Sequence, residues 1–542
     1  MGLAALMAAC SSDDKPAAPP AGTGGASSGG QGGAATGGKG GTGDGGSASG
    51  GKGGQNTGGD GLEPPDSGSA GGGSGSGGMD SGTGTGGAPD QDAGDGGPDC
   101  TFPRCRPPYP TVPYPDINPD SDKKALLGKI LFWEEQIGQI DTMACGTCHR
   151  AAAGGSDPRT NQAAAMLPGP NAVHETQPDI LSDDLRVAQG TPVCDIDGNI
   201  TGALQTTGRK PPTYLDAMFA SQIFWDGRAG YCKNAEATGG CFYDPDLAAG
   251  APALIVGKPD PNFGTVGGAL EAQASGPPAN SAEMACAGRT WSAIEAKLAT
   301  VTPLAKAKSG TIPEEMNTFI TQHGSNYPQM FQFVYGSDAN TKVNAADPDN
   351  VINARRIVFA IATHERRLKS DQTPFDLWND GKPEHDGAMT ADQIAGFTLF
   401  MGKARCSTCH PPPLFTDNGF HNIGFHKPAW DTGRDAITSA TFDKGKFKTP
   451  SLRNVGLREP FGLLHDGDGP GHDLNTIMEL YNTGGKRTDT DISPLIDPSM
   501  AELNLTAGEI AQIIDFLRNA LTDPRVKNET FPFDRPKLGS EP

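Results

Sequence analysis

Large apolar side chains are almost absent from the first hundred residues of this 542-residue chain, where glycine and serine predominate. Such a segment buries too little surface to offset the entropy of its backbone, which excludes a hydrophobic core and predicts a disordered, flexible tether. The remaining roughly 430 residues are enough for two domains of ordinary size with long loops.

The chain also lacks a long apolar run and a basic stripe. No stretch is apolar enough to span a bilayer, and no cluster of lysines and arginines indicates a nucleic-acid partner. The net charge is −21, and part of it lies in the tether. An acidic surface keeps a protein soluble and would suit a basic partner protein.

Lysine and arginine are missing from the extreme N-terminus too. Residues 1–9 are apolar and end in Leu6-Met-Ala-Ala9 directly before Cys10, which is similar to a lipoprotein signal with its lipid-acceptor cysteine. Its positively charged start is absent, which points to a start codon further upstream; the alternative is a short unstructured N-terminus. We favour a signal remnant at 1–9, a lipid-anchored linker at 10–107 and a periplasmic or cell-surface location on a membrane, the outer one by preference.

Four of the eleven cysteines lie in two similar stretches, Cys145-Gly-Thr-Cys148-His149 and Cys406-Ser-Thr-Cys409-His410. Two thiols at this spacing reach the two vinyl groups of one porphyrin, and the next histidine binds its iron. A lone Cys-x-x-Cys is equally typical of a disulfide, a redox pair or half a zinc site. Two complete matches without a second pair spaced for zinc predict two covalent c-type haems.

Six cysteines remain besides Cys10, an even number that predicts three disulfides in an exported chain. They are Cys100, Cys105, Cys194, Cys232, Cys241 and Cys286. Nearness in sequence favours the pairs 100–105 and 232–241, which leaves 194–286. Several other connectivities are open.

Helical periodicity begins after the proline-rich segment 103–119, with Ser121 as the expected N-cap of the first helix. Further helical patterns cover 292–299, 327–335, 351–368, 390–401 and the segment from Thr506. Thr390 and Thr506 are each followed by a capping-box partner, Gln393 and Glu509. The pattern predicts an all-α fold of two cytochrome c-like haem domains with long irregular loops, at 108–370 and 371–526, and a C-terminal tail at 527–542.

The ordered chain resembles the bacterial di-haem cytochrome c peroxidases and their methylamine-utilisation MauG relatives, from Leu127 to the last helix. The motifs that carry the resemblance are Phe224-Trp-Asp-Gly-Arg228, Gln273…Gly276-Pro277…Glu283-Met284, Ala360-Ile-Ala-Thr-His-Glu-Arg366, Phe420-His-Asn-Ile-Gly424, Thr449-Pro-Ser-Leu-Arg-Asn454 and His465-Asp-Gly467. The segment Ala287-Gly-Arg-Thr-Trp291 is similar to a lipoprotein branch of this family.

The resemblance makes the first haem the peroxidatic one. It implies that Glu283 moves a proton from the near to the far peroxide oxygen, with Gln273 and Pro277 at the family's spacing before it. Without the motif, Glu283 would be a surface side chain in a polar loop. Trp225 aligns with the family tryptophan that relays electrons between the haems, or it is a core aromatic. Arg228 would contact a haem propionate.

The second haem would be the electron-transfer centre. Where the peroxidases place a methionine ligand, counted from Leu474, this chain has Tyr481, as MauG does. A methionine raises the potential of the iron, whereas an anionic tyrosine oxygen favours the oxidised states. We favour Tyr481 as ligand. Met478 is the competing ligand, and the alternative for Tyr481 is a packed helix aromatic.

Two features of the family are missing. Many family peroxidases have a distal histidine on the first haem that leaves on reduction, but 194–208 contains none and His174 is out of register. We therefore expect an open first haem. The family's calcium site has an asparagine where this chain has Lys210, and its carbonyl partners would fall at Arg458 and Pro460. A lysine side chain cannot ligate calcium, so calcium has only weak support.

The resemblance implies a peroxidase that reduces hydrogen peroxide with electrons relayed from the second haem to the first. The donor would be a small c-type cytochrome or a cupredoxin. The alternative is a MauG-like enzyme that shares oxidising equivalents between both haems and oxidises a partner protein; Tyr481 and the missing histidine favour it. A pure electron carrier needs no open iron, and the Gln273 and Glu283 block argues against it. A di-haem oxygenase of a hydrophobic polymer is a further variant.

Overall fold

Helices dominate the described part of the chain and confirm the predicted all-α class. The computed structural model describes residues 104, 107–159, 207–232, 240–245, 258–260, 264–286, 288–336, 351–426, 431–467, 472–486, 488 and 493–542, all within one unit of mutual contacts. The signal remnant, the tether up to residue 103, and Cys10, Cys100, Cys105, His174 and Cys194 lie outside the described residues. None of the described helices is long and apolar enough to cross a membrane.

The described helices are numbered here in chain order. They are α1 (Asp122–Phe132), α2 (Cys145–Cys148), α3 (Ala269–Ala274), α4 (Trp291–Leu298), α5 (Glu314–Gln322), α6 (Tyr327–Tyr335), α7 (Ala354–Glu365), α8 (Pro374–Asn379), α9 (Ala391–Met401), α10 (Asp435–Thr438), α11 (Val455–Arg458), α12 (Leu474–Asn482), α13 (Ala507–Asp515) and α14 (Pro524–Lys527). Two antiparallel strand pairs accompany them: β1 (Lys258–Asp260) with β2 (Gly264–Val266), and β3 (Phe420–His421) with β4 (Phe447–Lys448).

Side-chain caps fix where several helices begin. The Thr390 side chain accepts from the Gln393 N–H, and Gln393 accepts from the Thr390 N–H at 3.0 Å. Thr506 and Glu509 form the same reciprocal pair at the start of α13. Both capping boxes confirm the predicted helix starts, because each satisfies backbone N–H groups that the first turn leaves unpaired. Ser121 is the N-cap of α1, but its side chain makes no capping bond.

The first hydrophobic core is built mainly from α1 and α4–α7. Leu127, Ile130 and Ile357 are completely buried there. Each such side chain contributes about 1.5–3 kcal/mol through burial. Gly128 lets α1 approach α7 closely, since a Cβ at this position would lie 1.8 Å from the Ala360 carbonyl oxygen. Cys145 and Cys148 pack against this core.

The second core joins α8, α9, α13 and the following π-helical turn. Five buried phenylalanines form its centre: Phe375, Phe397, Phe400, Phe415 and Phe516. Most of their rings meet edge to face, as for Phe375 and Phe415 with centroids 5.0 Å apart. Each such pair adds about 0.5–1.5 kcal/mol to simple burial. Cys406 packs against this core.

The last residues of the chain return to the first core, where Phe533 and Leu538 are buried. Lys129 on α1 pairs with Asp534 at 2.8 Å, and Glu135 accepts the Gly539 N–H at 2.7 Å. The segment after α14 is therefore a structural part of the region around the first haem-attachment stretch.

One predicted disulfide lies within the described residues. Cys232 and Cys241 are bonded, with Cα atoms 5.3 Å apart, as nearness in sequence predicts. Cys286 is disulfide-bonded too, to a partner outside the described residues. The four cysteines of the two haem-attachment stretches are free thiols.

Candidate functional site

The first attachment stretch forms the short helix α2 at the edge of the first core. Its start is fixed by Thr147, whose hydroxyl accepts from the Ala144 N–H at 2.9 Å. Gly146 is required here, because a Cβ would lie 2.2 Å from the Trp133 ring. The helix leaves Cys145 and Cys148 half-buried. Both thiols therefore lie on one short turn, where two bonds to a single porphyrin are possible.

His149 directly follows this helix and is oriented by the backbone. Its Nδ1 lies 3.2 Å from the Gly155 carbonyl oxygen. Burial lowers the pKa of His149, which keeps the ring neutral. A neutral imidazole that donates through Nδ1 leaves the lone pair of Nε2 for a metal.

Glu283 is near enough to this stretch to act on its thiols. Burial raises the pKa of both Cys145 and Cys148, and the charge of Glu283 adds to the effect. Asn280 donates to Glu283 through its amide at 3.2 Å. The Glu283 side chain is half-buried. This position suits a carboxylate that exchanges protons with a small substrate.

The loop that carries Glu283 is attached to the segment before α2. Gln139 donates its N–H to the Met284 carbonyl at 3.0 Å and accepts the Cys286 N–H at 2.6 Å. Of the other residues in this block, Pro277 is buried and Gln273 is half-buried at the end of α3. The fold thus brings the Gln273–Glu283 block to the first attachment stretch.

A second carboxyl group, for which the sequence motifs predict no role, lies near the first stretch. Glu365 at the end of α7 is 4% exposed, and its Oε2 has no hydrogen-bond partner among the described residues. Burial raises the pKa of Glu365 to about 8. Its charge acts on Cys145, which places it near that thiol. The only sequence signal was its place in the Ala360–Arg366 motif.

The second attachment stretch forms a 3₁₀ turn over Cys406–Thr408. His410 follows it, with Nδ1 2.9 Å from the Phe415 carbonyl oxygen. Burial lowers the pKa of His410, as it does for His149. The two histidines are therefore prepared in the same way to bind a metal through Nε2.

A cavity of about 430 Å³ opens beside this second stretch, a size within the range of cofactor sites. Its walls include Cys406, Cys409 and His410, together with apolar side chains such as Phe400, Leu463 and Leu517. Four basic residues also line it, namely Lys210, Arg405, Lys448 and Arg458. A largely apolar cavity with cationic edges suits a flat ring that carries acidic substituents.

Both proposed axial ligands reach this cavity from α12. Met478 and Tyr481 are three residues apart, so they share one face of the helix, and both line the cavity. Burial raises the pKa of Tyr481 above its usual value. Met500 is a third candidate for the iron ligand. It is buried in the same wall and packs in one cluster with Tyr481. No motif pointed to Met500.

Trp225 also lines the cavity, whereas Arg228 does not appear among its lining residues. The indole Nε1 donates to the Lys210 carbonyl at 2.8 Å, and the ring lies 6.3 Å from that of His465. Arg228 instead pairs with Asp226 at 2.9 Å and stacks over Phe224. Trp225 is thus part of the second site, and Arg228 belongs to the ion-pair network next to it.

The loop after His149 also borders the cavity of the second stretch. Gly155 holds the His149 ring, and the next residue, Ser156, lines the cavity of the second stretch. The Ser156 hydroxyl donates to the Pro211 carbonyl at 2.6 Å. The proximal side of the first stretch therefore adjoins the second site.

The residues at both stretches fit a c-type haem. Each has two free thiols at the attachment spacing and a neutral histidine whose Nδ1 is directed to a carbonyl oxygen. The residues at the calcium position do not fit calcium. The Lys210 side chain places an ammonium among the backbone carbonyls of Asp157, Arg159 and Phe461, and the two expected calcium ligands, the carbonyls of Arg458 and Pro460, are not among its acceptors.

The chain is similar to known di-haem enzymes. The model of the di-haem cytochrome c peroxidase family matches residues 122–384. Methylamine utilization protein MauG of Methylorubrum extorquens is 26% identical over 423 residues, which cover 76% of this chain and 82% of the relative. Cytochrome c peroxidase Ccp of Escherichia coli is 25% identical, over 71% of this chain and 59% of its own. Cytochrome c551 peroxidase of Nitrosomonas europaea is 24% identical, over 66% and 73%.

Proposed function

Because the chain belongs to the di-haem cytochrome c peroxidase family, we propose that it reduces hydrogen peroxide at its first attachment stretch with electrons that arrive through the second. The enzyme is an oxidoreductase that acts on peroxide and uses haem c. The overall reaction consumes one hydrogen peroxide, two electrons and two protons and forms two molecules of water. We assign residues 108–370 and 371–526 to the two haem domains.

One observation carries this assignment of roles. A half-buried carboxylate, Glu283, lies close enough to the first stretch for its charge to act on both thiols. The second stretch instead faces a cavity lined by a phenol and two thioethers, Tyr481, Met478 and Met500. Proton transfer is needed where the O–O bond breaks, whereas an electron-transfer iron needs two fixed ligands. The first site therefore suits cleavage of the peroxide bond, and the second suits electron transfer.

At the first site, thioether bonds through Cys145 and Cys148 and the Nε2 of His149 would hold a haem, whose iron supplies the redox centre for cleavage of the peroxide bond. Glu283 would accept a proton from one peroxide oxygen and return it to the other, so that water leaves. Asn280 orients the Glu283 carboxylate through its amide hydrogen bond. Gln273 and Pro277 shape the same distal wall.

At the second site, Cys406, Cys409 and His410 would hold the other haem. Tyr481 would be the second protein ligand of its iron, with Met478 as the competing one. Trp225 lines this cavity and donates its indole N–H to the Lys210 carbonyl. The loop that contains Ser156 borders the same cavity and leads back to His149. We propose that electrons pass from the second site to the first along this side. Arg228 supports the wall through Asp226, and we keep the contact with a haem propionate as part of the proposal.

The physiological setting follows from the sequence. We propose an exported protein with a lipid anchor at Cys10, held at a membrane by the Gly/Ser-rich tether. The partners are hydrogen peroxide and a small c-type cytochrome or cupredoxin. The acidic surface suits a basic donor of this kind.

MauG-like oxidation of a partner protein is the second candidate, and we do not favour it. Tyr481 as a ligand would support it, but a tyrosine ligand is also compatible with the reduction of peroxide, which the match to the peroxidase family supports directly. A pure electron carrier is also disfavoured, because it gives no role to Glu283 beside the first stretch.

The test is a peroxidase assay on the protein with both haems bound. Hydrogen peroxide is mixed with a reduced small c-type cytochrome, and we expect two equivalents of donor to be oxidised per peroxide. A Cys145→Ala/Cys148→Ala variant, which keeps only the second attachment stretch, should still accept electrons but consume no peroxide. Electron exchange without peroxide consumption by the intact protein would establish an electron carrier instead.

A further inference from the structure

Lys210 is a buried cation that backbone carbonyls hold in place. Its side chain is 4% exposed, and its Nζ donates to three backbone carbonyls: those of Asp157 at 3.0 Å, Arg159 at 3.3 Å and Phe461 at 2.9 Å. An ammonium group has three donors and no acceptor. All three donors are therefore satisfied by carbonyl oxygens, from two segments about three hundred residues apart in sequence.

The surroundings of this ammonium resemble a site for a hard cation. Among the described residues, no carboxylate forms an ion pair with Lys210. The nearby Asp157 carboxylate pairs with Arg159 instead, at 2.8 Å. Carbonyl oxygens are ligands that hard cations such as calcium prefer. Burial lowers the pKa of Lys210 to about 8, opposed by the charge of Asp157 and reinforced by those of Arg159 and Arg458. Three carbonyl acceptors around one nitrogen match the three N–H donors of the charged form.

The fold is shaped around the lysine stem. A Cβ at Gly467 would lie 2.6 Å from the Lys210 Cδ, and Gly467 has a φ of +55°. A larger residue here would collide with the stem and would also strain the backbone. The glycine of the His465-Asp-Gly467 motif thus leaves space for a lysine side chain to reach the carbonyls.

The backbone of Lys210 orients two rings of the second site. Its N–H donates to the His465 carbonyl at 2.8 Å, and its carbonyl accepts the Trp225 indole N–H at 2.8 Å. Trp225 and His465 both line the cavity beside Cys406 and His410. Because hydrogen bonds fix both the side chain and the backbone of Lys210, the position of the three carbonyls also sets the position of the Trp225 indole ring.

We propose that the Lys210 ammonium is a built-in cation that replaces a bound calcium ion and positions Trp225 at the second site. It joins the loop after the first attachment stretch, at Asp157 and Arg159, to Phe461 in the second half of the chain. No metal is then needed to hold this junction. The role of Trp225 in electron transfer rests on the proposed function, whereas the replacement of the metal does not.

The test uses the protein with both haems, treated with chelator, and Ca²⁺ alone as the probe. Calorimetric titration should show no Ca²⁺ binding to the wild type. Lys210→Asn places a ligand oxygen in the same cradle and should bind one Ca²⁺, whereas Lys210→Met offers neither charge nor oxygen and should bind none. Lys382→Met is the matched control, because Lys382 has a side chain that is 59% exposed and pairs only at the surface with Asp380.

A single-turnover measurement of electron transfer from the second haem to the first separates positioning from simple stability. EGTA should leave the wild-type rate unchanged. In Lys210→Asn it should slow transfer about 10-fold to 100-fold, the size expected when a relay group is misplaced, and Ca²⁺ should restore the rate. Lys210→Met should be slowed without restoration.

Stoichiometric Ca²⁺ binding by the wild type would overturn the proposal, as would a folded Lys210→Asn protein with both haems that binds no Ca²⁺. Wild-type transfer rates in Lys210→Met would overturn the positioning of Trp225. The titration of the wild type is decisive even if both variants fail to fold. It also keeps its meaning if the protein proves not to reduce peroxide.

Discussion

The two attachment stretches share their local design but differ in what faces them. Each ends in a histidine whose Nδ1 is directed to a backbone carbonyl, that of Gly155 or that of Phe415. The first stretch has the carboxyl groups of Glu283 and Glu365 nearby. The second faces a cavity with phenol, thioether and indole side chains.

This difference indicates how one cofactor type can serve two purposes. The residues that bind a haem are the same at both sites, so they cannot decide which iron reacts with peroxide. Groups that hold protons favour bond cleavage at the first site, and groups that can complete the coordination of iron favour electron transfer at the second. Changing these neighbours should therefore convert or abolish one role while the other survives.

The largest effect is expected from Glu283→Gln, which removes the proton carrier of the first site. We expect both haems to stay bound and the peroxide reaction to slow by about 10²–10⁴-fold, the usual contribution of general acid–base catalysis. Stopped-flow mixing with hydrogen peroxide measures the rate. Glu314→Gln, an exposed glutamate at the start of α5, is the control. An unchanged peroxide reaction in Glu283→Gln would remove Glu283 from the mechanism.

The two regions should also differ in their dependence on a buried ion pair. Glu271 and Arg366 pair with both side chains 0% exposed, whereas in the pair of Arg453 with Asp376 the aspartate is 16% exposed. Glu271→Gln leaves a buried arginine without its counter-charge and should cost about 3–5 kcal/mol of unfolding free energy. Asp376→Asn should cost less, because water can reach the site.

Denaturant unfolding of the two variants, followed through the haem absorption and through far-ultraviolet circular dichroism, measures both costs. A larger loss in Asp376→Asn than in Glu271→Gln would contradict the ranking.

At the second site, Tyr481→Phe and Met478→Leu distinguish the two proposed ligands. If Tyr481 binds the iron, its removal should raise the potential of the second haem by on the order of 100 mV, a fraction of the roughly 0.8 V that axial ligands span. Met478→Leu should then leave the ferric spectrum unchanged. Spectroelectrochemical titration of each variant supplies the potentials. The opposite pattern would make Met478 the ligand and strengthen the peroxidase assignment.

The smallest effect is a pH dependence that belongs to the first region. Because burial raises the folded pKa of Glu365 to about 8, the folded state binds the extra proton, and stability is lost as pH rises from about 4.5 towards 8. Glu365→Gln should match the wild type near pH 4.5 and exceed it by a few kcal/mol near pH 9. Thermal unfolding across this range tests it.

Asp497 offers the control for this pH dependence at the second site. Burial alone would raise the pKa of Asp497, but hydrogen bonds from His421 and Ser499 hold it at about 2. Asp497→Asn should therefore leave the slope between pH 5 and 6 as in the wild type; above that range the loss of this acceptor also changes the pKa of His421. An equal change of slope in both variants would show that Glu365 is not its source.

Local features were predictable from the residues alone. The capping boxes at Thr390 and Thr506 were correct because each involves partners only three residues apart. The Cys232–Cys241 disulfide followed from short separation for the same reason. The placement of Met478 and Tyr481 on one helical face also follows from their spacing of three residues.

Other features depend on residues that are distant in sequence. Glu365 was only one letter of a motif in the sequence, since its raised pKa results from burial in the folded protein. Met500 lies in no motif and reaches the cavity only through the fold of the chain after α12. The C-terminal segment was expected to be a tail, yet its Phe533 and Leu538 complete the first core.

The two attachment stretches, the helical class and the resemblance to a known family follow from the sequence alone, because covalent spacing and helix periodicity involve residues a few positions apart. Tertiary structure alone decided which side chains face each stretch. The three carbonyls around the Lys210 ammonium show the reason. They come from both halves of the chain, and only its folding brings their oxygen atoms to one point and removes the water between them.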